Sequence, residues 1–511
     1  MPPMTVDFNR HLGLLMPVSE PSLENSRSTS KIVSAPKFHD ADAGRVVPKL
    51  ASDRFPVPVP IDSLGVFLPE GVLLTDPDLL AGYRTDETHD PGAGTPVAVV
   101  RVTDTGQIQD TLRWASANRV AIIPRGAGSG LAGGVSAFDG AVVLSLERLT
   151  SIEIDPVARV AYAEAGALNG DVKRAAAEHG LWYPPDPSSF EISSIGGNVA
   201  TNAGGLCCVK YGVTADYVLG LDVVLADGTL VKIGGPRIKD VAGLPLTKLF
   251  VGSEGMLGVV TRAVLRLVPA QGKRSTLVAL FPTVAAAGDA VVDVGQSIRP
   301  SMVELMDHAS INAVEDYQPR GLDRSARALL IFQSDAPGTT RSRDSELIHT
   351  VAKKHGATEI FETDDAAEGE QFVAARRDAN PACKALGSVL TEDIAVSIPY
   401  LPALLTRIEE ISAAHGLSVP TVAHAGDGNL HPHIIYDETD AGSVVAAHAV
   451  FAEIMHAAIE LGGTITGEHG VGRAKAAYLA DQLGPDAMTL TRAIKSALDP
   501  LGILNPGAAG I

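Results

Sequence analysis

The stretch VAIIPRGAGSGLAGGV, residues 120–135, limits the possible folds of this chain more than any other. A short apolar run of strand character leads straight into a loop built largely of glycine. Gly128, Gly130 and Gly133 form a literal GxGxxG, and Glu147 follows about 20 residues on, the spacing of a Rossmann dinucleotide fingerprint. A Rossmann loop must open a helix. The ten residues LAGGVSAFDG contain three glycines before the next strand, too short and too glycine-rich a stretch for a crossover helix. Such a loop can instead present consecutive backbone N–H groups to an anion, through conformations closed to residues with a Cβ. A pyrophosphate suits it and so does a structural turn; this loop alone leaves both open.

Two further stretches are equally dense in small polar residues: PPDPSSFEISSIGGNVATNAGGLCCVKYG (184–212) and LFVGSEGMLGVV (249–260). Three such loops in one region imply a long, polar, multi-part ligand. Around them the pattern alternates short apolar strands with alanine-rich helices. PVAVVRV, TGQIQDTLRWASANR and VAIIP read as a β-α-β opening, and AVVLSL, VAYAEAG and GVVTRAVLRLVP read as strands. LGLDVVLADGTLVKI reads as a hairpin about Asp227-Gly228. After GKRSTLVALF, longer amphipathic segments such as TVAAAGDAVVDVGQS and SELIHTVAKKHG alternate with single strands such as ARALLIFQ. This is the pattern of helices backing an antiparallel sheet.

Composition narrows the function. A chain of 511 residues, 45% hydrophobic, can bury a large core and form more than one domain. A net charge of −19 argues against binding to nucleic acid or an anionic membrane, both of which need a basic face. It also means that any pocket for an acidic substrate must carry its own cations. Three cysteines, Cys207, Cys208 and Cys383, fit neither paired disulfides nor a CxxC metal pattern. The N-terminus lacks a basic start followed by an apolar stretch, and no run of about 18 apolar residues occurs. A cytoplasmic protein without a membrane span is expected.

Residues 422–433, VAHAGDGNLHPH, pose a separate question. His424 and His431 flank AGDGNL, which can fold back on its glycines so that both imidazoles converge. Downstream, Glu468 and His469 are bracketed by glycines in TGEHGVG. Two imidazoles and a carboxylate suit a divalent transition metal with coordination positions left open. The spacing by itself is equally compatible with scattered surface histidines. In FVAARRDANPACKALGSVLTEDIAV, Arg376 and Arg377 could bind a carboxylate or simply be solvated helix arginines.

PRGAGSGLAGGV, SSIGGNVATNAGG and VGSEGMLGVVT resemble the flavin-binding loops of the vanillyl-alcohol-oxidase type of FAD-linked oxidoreductase. The resemblance runs from about Pro96 to Gly507. It is strongest to the branch containing D-lactate dehydrogenase, D-2-hydroxyglutarate dehydrogenase and the D subunit of glycolate oxidase. It implies an α+β fold: a lead-in over 1–50, an FAD-binding domain of two α+β subdomains over 51–271, a substrate domain with an antiparallel sheet and the metal loop over 272–440, and a C-terminal helical cap over 441–511. It implies that Arg125, Gly126, Ala127, Gly128, Ser129 and Gly130 cradle the FAD pyrophosphate. Pro185, Ser189, Gly196, Gly197, Asn202, Gly205, Glu254, Gly258, Val260 and Asn505 would line the rest of the cofactor. Ser129 stands where relatives with covalently bound FAD often carry a histidine, so non-covalent FAD is expected. Met256 replaces a usual threonine, and Ala508 a usual lysine.

HAGDGNLHP and GEHGVG resemble the metal loops of the same branch. That implies His424, His431 and Glu468 as ligands of zinc or a similar ion, His469 as the catalytic base and Arg376 as the partner of the substrate carboxylate. The chemistry accounts for these residue types. Oxidising a 2-hydroxyacid by hydride loss to flavin N5 requires the hydroxyl proton to leave as the Cα–H bond breaks, which a Lewis-acidic metal and a neutral histidine assist. Thr391 stands where the hydroxyglutarate enzymes have a lysine, and His433 where they have asparagine, which shifts the expectation to glycolate or D-lactate. Asp427 and Asn429 would brace the loop. Too few cysteines remain for an iron–sulfur cluster, so electrons leave to an external acceptor. A homodimer is the expected assembly. The alternatives are a D-2-hydroxyglutarate dehydrogenase, an FAD transferase like the ether-lipid synthases, and a flavin subunit inactive without the rest of a glycolate oxidase complex.

Overall fold

The computed structural model describes Phe55 and residues 58–511; the lead-in expected over 1–50 lies outside the described residues. The β-α-β passage forms as its pattern dictates. Asp104 caps the helix Thr105–Asn118 by accepting the Gln107 N–H at 3.0 Å, and Ile108, Leu112 and Ala115 bury one face. The strands are β1 (Leu73–Leu74), β2 (Ala98–Arg101), β3 (Ile122–Arg125) and β4 (Val142–Ser145), in the order β1-β2-β4-β3. β4 lies between β2 and β3 and is parallel to both. No helix joins β3 to β4, so the glycine loop after β3 is a true loop.

Next in the chain are β5 (Ile152–Asp155), β6 (Val160–Glu164), β7 (Leu181–Trp182), β8 (Val218–Val224), β9 (Leu230–Gly234), β10 (Val259–Arg266) and β11 (Val268–Pro269). Five of these form an antiparallel sheet, β5-β6-β10-β8-β9, while β7 pairs with β11. The hairpin about Asp227-Gly228 joins β8 to β9, with Gly228 at φ +80°.

The remaining strands are β12 (Ser275–Phe281), β13 (Met302–Asp307), β14 (Ala328–Ser334), β15 (Glu359–Thr363), β16 (Ser388–Thr391), β17 (Ile394–Ala395), β18 (Thr421–His424) and β19 (Asn429–Tyr436). They form one antiparallel sheet in the order β15-β12-β14-β13-β18-β19-β16, with β17 against β19. Both faces are covered. Leu277, Ala279, Val303, Leu305, Leu330 and Phe332 pack with residues of the helices Val284–Ser297, Thr339–Lys354, Leu401–His415 and Ala441–Glu460. On the opposite face, Val278, Leu280, Met302, Met306, Leu329, Ile331 and Val422 pack under the helices His308–Tyr317, Ala366–Arg377 and Ala379–Leu386. Burial on both sides explains why these strands read as unbroken apolar runs. β1, β5, β7, β13 and β15–β19 were not anticipated from the sequence.

The architecture is α+β. The segment 441–511 packs in more than one place. Ala441–Glu460 is the one helix among the described residues long and apolar enough to cross a membrane, but Val450, Phe451, Ile454 and Met455 are buried in the large-sheet core. The chain end returns to the first sheet: the Ile122 N–H donates to the Ile503 carbonyl and the Asn505 N–H to the Ile122 carbonyl, both at 2.8 Å.

Candidate active site

A cavity of about 440 Å³ opens between the loops of the two smaller sheets and the face of the large one that carries the helices Ala366–Arg377 and Ala379–Leu386. One side is lined by Arg125, Gly126, Ala127, Gly128, Ser129, Gly130, Ser189, Gly196, Gly197, Glu254, Gly258 and Val260. The other is lined by Arg376, Arg377, Asn380, Thr391, His431, His433, Glu468 and His469.

The first side is a backbone surface. Gly128 adopts φ +75°, and a Cβ on Gly126 would lie 2.3 Å from the Ser194 hydroxyl oxygen. Within the described residues, the N–H groups of Gly128, Ser129 and Gly130 find no protein acceptor, which leaves a row of donors for an anion. The second glycine stretch corrects its reading as a loop: Ile195–Thr201 is helical, capped by Ser194, whose hydroxyl accepts the Gly197 N–H at 3.3 Å. Two glycines in one helical turn hide the helix from propensity. Gly196 is required because a Cβ there would approach the Ala165 Cβ to 2.7 Å.

The second side is made of side chains set by sheet register. VAHAGDGNLHPH is a β-hairpin rather than a surface loop, and both histidines lie on strands, His424 at the end of β18 and His431 in β19. Val422 pairs directly with His431, so His424, two residues along β18, projects from the same face. Their Nε2 atoms lie 3.2 and 3.3 Å from one oxygen, Oε1 of Glu468. His469 stacks on His431 with ring centroids 4.9 Å apart, its Nε2 3.8 Å from the same oxygen.

The electrostatics divide the histidines. Burial opposes a charge on His424, but Glu304 and Glu468 outweigh it and hold the imidazole well above its ordinary range. Burial raises the Glu468 carboxyl, yet the neighbouring His424 and His431 pull it well below the usual carboxylate range. Burial dominates at His469, pushed down to about 4, and at His433, pushed down to about 3. Both are therefore neutral near pH 7. Desolvation also lowers Arg376, which stays charged and is 4% exposed.

Comparison with known proteins agrees with this geometry. Residues 96–234 match the family described as FAD binding domain, and residues 270–509 match FAD linked oxidases, C-terminal domain. The chain is 43% identical over 415 residues to glycolate oxidase subunit GlcD of Bacillus subtilis, an alignment covering 81% of this chain and 88% of that one. The chain belongs to the FAD-linked oxidases. It is an FAD-dependent oxidoreductase. It is also 33% identical to D-lactate dehydrogenase of Archaeoglobus fulgidus, over 83% of this chain and 94% of that one. Among solved structures, p-cresol methylhydroxylase with substrate bound shares the fold, at a TM-score of 0.76 and 19% identity, with 88% of this chain and 96% of that one covered.

The donor row after β3 fits the pyrophosphate of FAD. Four residues expected against the cofactor do not line the cavity. The Pro185 carbonyl accepts from Asn169 Nδ2, and Asn202 ends its helix at φ 55° with Oδ1 accepting the Ala215 N–H. Gly205 lies against the backbone of Asp186. Asn505 Nδ2 donates to the Gly134 and Glu254 carbonyls, tying the chain end to two FAD loops. His424 stands behind Glu468, away from the cavity wall. Met256 and Ala508, the two departures from the family pattern, are buried in the core.

Four acids and a lysine that hold the site together were not singled out from the sequence. Asp393 accepts the backbone N–H groups of Glu468 and His469, the latter at 2.7 Å, and also the Thr466 hydroxyl and the Asn429 amide. This also shows Asn429 bracing the loop. Glu392 pairs with the buried Lys475 at 3.2 Å, and Lys475 donates to the Ile465 carbonyl. Glu304 pairs with His424, and Asp86 lies behind Gly130. Glu254, expected only against FAD, also accepts the Val471 and Gly472 N–H groups at 2.8 Å, so an FAD loop fixes the loop bearing His469. The available signal was an acid in a buried apolar run, as in MVELMD and TEDIAV.

Proposed function

We propose that this oxidoreductase converts a small 2-hydroxyacid, glycolate or D-lactate, to the 2-oxoacid, using non-covalent FAD and a divalent cation, zinc in the first instance. The observation that carries this reading is that Arg376, His431, Glu468 and His469 line the same cavity as the glycine loop. The relatives named glycolate oxidase subunit GlcD and D-lactate dehydrogenase support it.

The donor set fits a cation: two imidazole nitrogens within 3.3 Å of one carboxylate oxygen, all three residues at least largely buried, with His424 backed by a carboxylate. When bound, FAD supplies the hydride acceptor and the cation at His424, His431 and Glu468 supplies Lewis acidity. The protein's own residues do the rest. Arg376 offers buried N–H groups, Nη2 among them, that have no protein acceptor, to a substrate carboxylate. His469, neutral above about pH 4, takes the hydroxyl proton at Nε2, the nitrogen facing Glu468. Asp393 and Glu254 hold the loop of His469 from both ends, so the base is placed before substrate arrives.

The cavity wall favours a monocarboxylate. Thr391 and His433 are cross-strand partners on β16 and β19, and neither carries a cation at neutral pH. The other cations on the wall are already compensated, Arg377 by Glu370 at 2.5 Å and Lys384 by Glu87 at 3.0 Å. A second substrate carboxylate would have to compete with those acids. Electrons then pass to an external acceptor. Relatives named as subunits favour a partner protein in that role.

Anaerobic flavin absorbance tests the reading with glycolate, D- and L-lactate, D-2-hydroxyglutarate and D-malate. Bleaching by glycolate or D-lactate with 2-oxoacid as product is expected. A flavin- and metal-loaded sample that bleaches with none of them refutes it. An alkyl-for-acyl exchange without 2-oxoacid would place the chain nearer alkyldihydroxyacetonephosphate synthase, whose solved structure shares the fold at a TM-score of 0.65 and 19% identity.

A further inference from the structure

Glu304 is the buried acid that neither the FAD cradle nor the proton transfer uses. It sits in β13 between Met302 and Met306, on the sheet face that turns toward the cavity, and is fully buried. Its register partner on β18 is His424. Oε1 lies 2.8 Å from His424 Nδ1, and Oε2 lies 2.9 Å from Arg376 Nε. An isolated carboxylate in such a place is strongly unfavourable, so its two neighbours determine why it can be there.

Each contact has a directional consequence. A carboxylate accepting from His424 Nδ1 keeps a proton on that nitrogen, so Nε2, 3.2 Å from Glu468 Oε1, is the nitrogen that can give up its proton to a cation. The contact to Arg376 is a close ion pair at Nε, and Nη2 remains a buried donor with no acceptor. Glu304 thus compensates the guanidinium charge while leaving Nη2 free. Arg376 itself belongs to the helix Ala366–Arg377, on a different element from the histidine pair. One carboxylate therefore bridges the residue that faces the cation and the residue that faces the substrate carboxylate.

We propose that Glu304 is a positioning residue for both, orienting His424 toward the cation and holding Arg376 in place for the substrate. This inference rests on the function proposed above. The fixed His424 tautomer predicts tighter cation binding than the same ligands would give unaided, and the compensated Arg376 predicts a lower KM for a 2-hydroxyacid.

The test uses the full-length, FAD-loaded protein stripped of metal with a chelator and titrated with Zn²⁺. Glu304→Gln keeps the size and one acceptor but removes the charge. It should stay yellow, bind Zn²⁺ roughly tenfold more weakly, in the range for outer partners of metal-ligating histidines, and show a raised KM for glycolate or D-lactate. A merely structural role would lower the melting temperature and leave Zn²⁺ affinity unchanged. Glu304→Asp retains charge but is one methylene too short to span both partners, and its Zn²⁺ affinity should fall between the other two; it keeps the test decisive if the glutamine variant does not fold. Wild-type Zn²⁺ binding with either folded variant within twofold of it overturns this inference alone. No Zn²⁺ binding by the wild type overturns the metal-dependent reading and this one with it.

Discussion

The two sides of the cavity are built on opposite principles. The glycine-loop side, residues 125–130 with Gly196 and Gly197, offers a ligand backbone shape and the unpaired N–H groups of Gly128, Ser129 and Gly130. Side chains there would obstruct it, as the contacts facing a Cβ on Gly126 and Gly196 show. The opposite side is almost entirely side chains, His431, Glu468 and His469 with His424 behind them, held by buried acids on a sheet that is apolar on both faces. A backbone cradle tolerates little added volume but no particular chemistry is lost with one side chain. A charged cluster tolerates volume changes and depends on every proton.

Mutations can break or sharpen this contrast. The largest effect is expected at His469→Ala: flavin reduction by glycolate or D-lactate should fall roughly 10³-fold, as for loss of a general base, while the protein stays yellow. Rapid reduction in stopped-flow absorbance would remove His469 from the role of base. His431→Ala should come next, with divalent-metal affinity lowered by roughly 100-fold, at or above the upper end for outer-partner losses. Elemental analysis after dialysis would reveal it, and metal content equal to wild type would dismiss His431 as a ligand.

On the backbone side, Gly196→Ala should cost about 1–3 kcal/mol of stability through overpacking against Ala165, and should weaken FAD retention without altering metal affinity. Denaturant unfolding together with the flavin-to-protein absorbance ratio measures both; a variant as stable and as yellow as wild type would refute the close-packing account. The smallest effect concerns pH. His433 titrates at about 3 in the folded protein and near 6.5 when unfolded, so below pH 6.5 the unfolded chain takes up a proton that the folded one refuses. Wild type should therefore lose stability relative to His433→Asn by about 1 kcal/mol per pH unit as pH falls from 6 to 4. A stability difference independent of pH would show that His433 is not held neutral.

The same contrast explains how much could be read from the sequence. Most strands, the hairpin at Asp227-Gly228 and the absence of a Rossmann helix were legible, because apolar periodicity and glycine placement are local signals. The individual cavity-lining residues of the glycine loops came from the resemblance of those loops to the family, not from a local signal. Asn202 and Asn505 were not separable from them, because loop composition does not say whether a polar residue faces a ligand or braces the loop behind it. Asp393 and Glu304 were passed over because an acid inside an apolar run has no local partner to mark it. Their partners lie 36 and 120 residues away at Asn429 and His424.

The amino-acid sequence by itself determined where the chain could bend, which segments could bury an apolar face, and that three glycine-rich passages would serve a long polar ligand. These follow from steric freedom and periodicity within a few residues. Only the tertiary structure decided that a strand pairing places His424 and His431 against Glu468, that Glu304 joins His424 to Arg376, and that Glu254 reaches from an FAD loop to hold the loop of His469. Those decisions belong to buried charges, whose cost falls only when distant partners meet at the right distance, and no stretch of sequence contains both members of such a pair.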